Sequence, residues 1–171
     1  MVLYRFGLAL GLRLGELLGL KWSRIDFDKG TVTVDTSARR EKDVNTGISY
    51  LILTSLKTES SYDTLYMPPF LISDLKSHKL LQDIEKTKAS NLYNDSDLVF
   101  STELGKIIEP TNLRKRYNKL LNKANISHKT IHALRHTCAT RLMEAGLNLR
   151  HYQKNNRPIL DKKYPFNLSM V

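Results

Sequence analysis

Leucine dominates the opening of the chain. Between Leu3 and Leu20, leucines stand at 8, 10, 12, 14, 17, 18 and 20, too densely to leave a polar face. The pattern predicts a single, largely buried helix. Two glycines, Gly11 and Gly15, weaken it, and Arg13 and Glu16 interrupt its apolar run. Asp28-Lys29-Gly30 then signals a turn, and the alternating Thr31-Val32-Thr33-Val34 predicts a strand. The polar, charged segment from Ser37 to Gly47 reads as a loop. Ile48 to Leu53 reads as a second strand and Thr64 to Met67 as a short third, together a small antiparallel sheet.

Pro68-Pro69 closes that sheet and opens a helix to about Lys88, with Leu71, Leu75, Leu80, Leu81 and Ile84 expected on its apolar side. Pro110 to Ala124 is a basic helix carrying Lys115 and Lys119, and Thr130 to Ala145 is another, with Gly146 placed as a C-cap glycine. On the latter, Ile131, Leu134, Cys138 and Leu142 build an apolar stripe, while His132, Arg135, His136 and Ala139 share a second face. Beyond Gly146 no apolar period survives, so residues 151–171 read as an atypical, poorly ordered tail. Met1 sits two residues before a core-type helix, and both ends read as cut. The expected class is α+β, mainly helical with a small antiparallel three-stranded sheet.

Composition narrows the picture. With 171 residues, 41% hydrophobic and 26% charged, one compact globular domain is expected and disorder throughout is excluded. No apolar run approaches the roughly 20 residues of a membrane-spanning helix. Residues 1–20 also lack the small-residue cleavage site of a secretory signal. A cytoplasmic protein with no membrane partner is expected. The single cysteine, Cys138, excludes an intramolecular disulfide and a cysteine-cluster zinc site. Residues 1–100 hold 13 basic and 13 acidic side chains, whereas residues 101–171 hold 14 and 4, so the second part carries the whole net charge of +10. Such a surface faces a polyanion, most simply nucleic acid; a solvated basic surface kept for solubility is the bland alternative. Lys115 and Lys119 are the candidate phosphate contacts.

His132 and Arg135, three apart on a helix, can present an imidazole and a guanidinium to one phosphate, although such a pair is commonly plain surface. Arg13 lies in a leucine run where an unpaired charge is costly. It either pairs with Glu16 inside the helix or is held so that its fork reaches a phosphate. Lys57, in Leu56-Lys57-Thr58-Glu59-Ser60-Ser61, is by composition a solvated lysine of a hairpin-like connection. No Asp/Glu cluster suggests a metal pair, and neither metal nor cofactor is expected.

Gly11-Leu12-Arg13-Leu14-Gly15-Glu16-Leu17-Leu18-Gly19-Leu20-Lys21-Trp22 resembles the first arginine box of the tyrosine recombinases, the phage and transposon integrases. His132-Ala133-Leu134-Arg135-His136-Thr137 is similar to their His-x-x-Arg box, and the Lys57 segment resembles the β-hairpin that bears their catalytic lysine. The likeness covers roughly residues 4 to 150. It implies metal-independent cleavage and rejoining of DNA through a 3′-phosphotyrosyl link. Arg13 and Arg135 would clamp the non-bridging oxygens, Lys57 would protonate the leaving 5′-oxygen and His132 would assist proton transfer. Double-stranded DNA and further recombinase protomers are the implied partners.

The tail departs from this pattern. Asn155-Asn156-Arg157-Pro158 stands where a Leu-Gly-His box is expected, and Asn167-Leu168-Ser169 where the nucleophilic tyrosine is expected. Tyr164, three or four residues early, is the candidate nucleophile. The expectation is therefore residues 1–150 as an N-terminally truncated recombinase catalytic domain with impaired cleavage, and a frameshift after about Arg150 as the source of the tail. A non-catalytic DNA-binding remnant is the alternative. A small helical regulator unrelated to recombination is disfavoured by Arg13 and the Lys57 connection.

Overall fold

The leucine-rich opening folds as two helices rather than the one expected. α1 spans Val2–Leu10 and α2 spans Leu14–Gly19. Gly11 takes a left-handed backbone, φ +62°, while its N–H still donates to Gly7 O at 3.0 Å, so the first helix is capped there. Arg13 follows in extended conformation, φ −69° and ψ 153°, as the N-cap of α2. Its backbone N–H donates to the Glu16 carboxylate at 2.8 Å, the reciprocal half of a capping box. The structure, a computed structural model, describes residues 2–55 and 63–145.

Three short strands form one antiparallel sheet in the order β1-β2-β5: β1 is Ile25–Asp26, β2 Thr31–Val34 and β5 Asp63–Tyr66. The Asp26 carboxylate accepts the N–H groups of Asp28 and Lys29 at 3.1 and 2.8 Å, which closes the β1–β2 turn and holds that carboxyl below its ordinary pKa. The small sheet is present as expected, but its membership differs. The Ile48–Leu53 segment belongs to β4, Ser49–Ser55, which pairs with β3, Thr36–Lys42, in a separate two-stranded ribbon. The segment read as a loop is therefore mostly strand, in register from Thr36↔Ser55 to Lys42↔Ser49. Only Thr36 and Ala38 of β3 are buried, so its charged remainder hides the period of two.

α3, Pro69–Ala89, packs against α1. Leu71 and Leu75 are buried as expected, but Leu80, Leu81 and Ile84 point to solvent at 67, 61 and 51% exposure. The inward positions go instead to His78 and Gln82. The His78 ring meets Val99 O at 2.7 Å; Gln82 donates to Leu98 O at 3.1 Å and accepts from Trp22 Nε1 at 2.6 Å. These polar contacts fix the Leu98-Val99-Phe100 run, and a helix period set by residues 71, 75, 78 and 82 leaves the later leucines outside.

α4, Pro110–Lys123, buries Leu113, Tyr117 and Leu121 one turn apart. α5, His132–Glu144, buries Cys138 and Leu142 and packs against α1. The Cys138 thiol donates to Ala9 O at 3.3 Å, and burial pushes its pKa up to about 12, against the opposing pull of Arg135 and Arg141. The residue is an inert core thiol. The core thus joins α1, α2, the three-stranded sheet and α3 to α4 and α5 through Phe6, Leu10, Leu17, Val32, Leu71, Val99 and Cys138. No helix among the described residues is long and apolar enough to cross a membrane. The Gly146 cap and the tail lie outside the described residues.

Candidate active site

The break between α1 and α2 is the organising feature of the site. Gly15 and Gly19 lay α2 flush against β3: a Cβ on Gly15 would stand 2.6 Å from both Ala38 O and Ser37 Oγ. The helix start is thereby fixed in place, and Arg13 stands at its first corner. The Arg13 side chain is 49% exposed, not buried as its leucine surroundings suggest, because the extended backbone turns it out of the core. Its Nη1 donates to Glu16 Oε1 at 3.1 Å, with the Glu16 side chain only 3% exposed. Both sequence-based readings of Arg13 are compatible with this geometry: the ion pair exists, and the guanidinium still reaches solvent.

Arg135 reaches the same break from the other side. It is 6% exposed, and its Nη1 donates to the carbonyl oxygen of Gly11, 124 positions away in the chain. A guanidinium keeps its proton at any physiological pH, so burial here requires fixed acceptors, and the Gly11 carbonyl is one. Arg135 consequently belongs with the buried surface of α5, and the face it was expected to share with His132, His136 and Ala139 is part buried and part exposed. Ala139 is buried beside it, while His136 is exposed.

His132 opens α5 one turn before Arg135 and is exposed. Its ring stands edge-on to that of His136, centroids 4.6 Å apart at 88°. The residue also lines a cleft of about 550 Å³ together with Leu12 and Leu14, which flank Arg13. Arg13, His132 and Arg135 therefore converge on one loop from segments more than a hundred residues apart. Lys57 and Tyr164 lie outside the described residues. Lys115 and Lys119 are exposed on α4.

Sequence reasoning missed two members of this neighbourhood and half the role of a third. Glu16 was visible only as an ion-pair partner, yet its buried carboxylate also holds the Arg13 backbone. Arg114 and His128 line the cleft, whereas Lys115, one position on and about 100° around the helix, is not among its lining residues. The i, i+4 row of Leu113, Tyr117 and Leu121 marks the inward side of α4, but which flank of that row faces α2 is a tertiary fact.

A mixed helix and sheet domain thus gathers an Arg, a His-x-x-Arg pair and a buried Glu around one helix break. The chain belongs to the phage integrase family, whose profile matches residues 2–155. It is 41% identical over 154 residues to the tyrosine recombinase XerC-like protein of Caldanaerobacter subterraneus subsp. tengcongensis, covering 86% of this chain and 39% of that one. With the integrase of Staphylococcus phage L54a it shares 28% identity over 145 residues, 84% of this chain and 40% of the other. The solved Tn1549 transposon integrase in complex with transposon right end DNA matches the fold with a TM-score of 0.70 at 22% identity, over 89% of this chain and 48% of that one. The chain thus spans about two-fifths of the length of these curated relatives.

Proposed function

We propose that this chain is the catalytic part of a tyrosine recombinase that cleaves and rejoins DNA strands. The observation that carries the reading is the hydrogen bond from Arg135 to Gly11 O, which ties the second arginine to the loop whose far end holds Arg13. Two always-charged forks, one on the loop and one tied to it from α5, suit a phosphate whose non-bridging oxygens gain charge in the transition state. The attacking group is a tyrosine hydroxyl, with Tyr164 nominated. Its oxygen bonds to phosphorus as the bond to the 5′-oxygen breaks. Lys57 gives that leaving oxygen its proton, and His132, exposed at the head of α5, assists proton transfer at the nucleophile. The bond energy is kept in the 3′-phosphotyrosyl link until another 5′-hydroxyl attacks.

Double-stranded DNA is the partner, supported by the DNA held in the Tn1549 integrase structure, and the family resemblance implies further protomers on the same duplex. Acting on DNA, the protein would work in the cytoplasm. Lys115 and Lys119, exposed on α4, contribute to the sequence-independent hold on the phosphate backbone. Replacing both with glutamine is expected to weaken binding to all duplexes alike and to flatten the salt dependence by about two counterions; a loss confined to one sequence would contradict a backbone role.

The test of the reaction is a nicked duplex from which a short 5′-hydroxyl strand diffuses away after cleavage, leaving any covalent adduct trapped. Wild-type chain is expected to form the adduct and Tyr164→Phe to form none. An adduct that persists in Tyr164→Phe removes Tyr164 from the nucleophile's role. No adduct from either, with duplex binding intact, leaves a DNA-binding remnant.

A further inference from the structure

Beside the two arginines lies a cleft of which the cleavage chemistry uses only His132. It encloses about 550 Å³, within the roughly 300–1,000 Å³ of sites that hold small ligands. Its apolar floor comes from Leu12 and Leu14 on one side and Tyr117 and Ile131 on the other. The floor is rigid. Tyr117 is buried, its ring tilted on Tyr4 with centroids 5.3 Å apart, and the Tyr4 hydroxyl donates to Leu113 O at 3.2 Å.

The rim carries Arg114 from α4 and His128 from the connection before α5. Among the described residues no carboxylate forms an ion pair with either side chain. His132 joins this rim to the break that bears Arg13. An inorganic anion needs the cations but no apolar floor, and an apolar side chain needs the floor but no cations. A nucleotide unit needs both: a sugar and base with apolar faces, and a phosphate at one end.

We propose that the cleft is a nucleotide subsite. It takes the deoxynucleotide next to the phosphate clamped by Arg13 and Arg135, with its sugar and base against Leu12, Leu14, Tyr117 and Ile131 and its own phosphate on Arg114 and His128. The inference rests on the recombinase reading and adds to it residues that position the strand rather than react. Arg114 is a positioning residue.

Thymidine 3′,5′-bisphosphate is the probe, read by the ring C2–H resonances of His128 and His132 in the chain as it stands. Saturable shifts of both are expected. Thymidine alone and inorganic phosphate alone should each bind at least tenfold more weakly. Arg114→Gln should weaken the bisphosphate at least tenfold, while Lys88→Gln, exposed in the last turn of α3 and outside the cleft, should stay within twofold. Arg114 is exposed, so both variants should melt with the wild type. Equal binding of bisphosphate and inorganic phosphate would mean a general anion site and overturn the proposal, as would an Arg114→Gln variant that binds like wild type. A duplex titrated into the same sample separates the two levels: duplex binding without bisphosphate binding defeats the subsite alone, and failure of both defeats the DNA reading with it.

Discussion

Arg13→Ala is expected to lower the rate of covalent joining to DNA by on the order of a thousandfold, the loss typical of removing one donor from a developing oxyanion. Binding to non-specific duplex should change little, because one phosphate contact among many is a small share of the affinity. The fold should survive as well. Arg13 is half open to water but the Glu16 carboxylate is buried, so losing the guanidinium costs more than the roughly 1 kcal/mol of an exposed pair. Glu16 nevertheless keeps its bond from the backbone N–H of residue 13, which alanine retains. Arg13→Lys should recover only part of the rate, since a lysine has the charge without the planar fork. Equal rates for wild type and Arg13→Ala would remove Arg13 from the reaction.

Gly15→Ala is expected to be the most damaging single-methyl change near the site. The new Cβ would sit 2.6 Å from the Ala38 carbonyl oxygen, a backbone atom of a paired strand that cannot rotate away as a side chain could. α2 must then lift from β3. Overpacking of this kind costs about 1–3 kcal/mol, which in a domain of this size lowers Tm by roughly 2–12 °C. The lift also moves the corner that carries Arg13 and Glu16. A displacement of about 1 Å of a positioned group costs on the order of a hundredfold in rate, so activity should fall further than stability alone accounts for. Thermal melting and adduct formation measured on the same sample check both parts. A variant that melts and reacts like wild type would mean that α2 does not hold the site.

Helices set by simple periods were legible in the sequence: α3, α4 and α5 lie close to where Pro68-Pro69, Pro110 and the Ile131–Leu142 stripe put them. The two arginine-bearing boxes were legible as well, because they are local strings; the Lys57 box lies outside the described residues. What escaped was decided by backbone sign or by tertiary contact. A left-handed Gly11 inside a leucine run has no periodic signature, so α1 and α2 read as one helix, and Arg13 read as buried when an extended residue turns it outward. β3 was hidden because only two of its seven residues face the core. On α3 the inward row ends in His78 and Gln82, whose partners Val99 O and Trp22 Nε1 lie about 20 and 60 residues away, so the leucines at 80 and 81 were assigned the wrong side. Arg114 and His128 could be found only once α4 and the α5 approach were set beside the α1–α2 break.

The claim at the centre of this account is that Arg13 and Arg135 together neutralise one phosphate. The most direct measurement replaces that phosphate in the nicked duplex by a neutral methylphosphonate and compares adduct rates for wild type and Arg13→Ala. With one oxygen's charge gone the guanidinium has less to stabilise, so the thousandfold gap should shrink to about tenfold or less. A gap of the same size on both substrates would contradict the clamp and assign Arg13 to holding the fold of the α1–α2 corner.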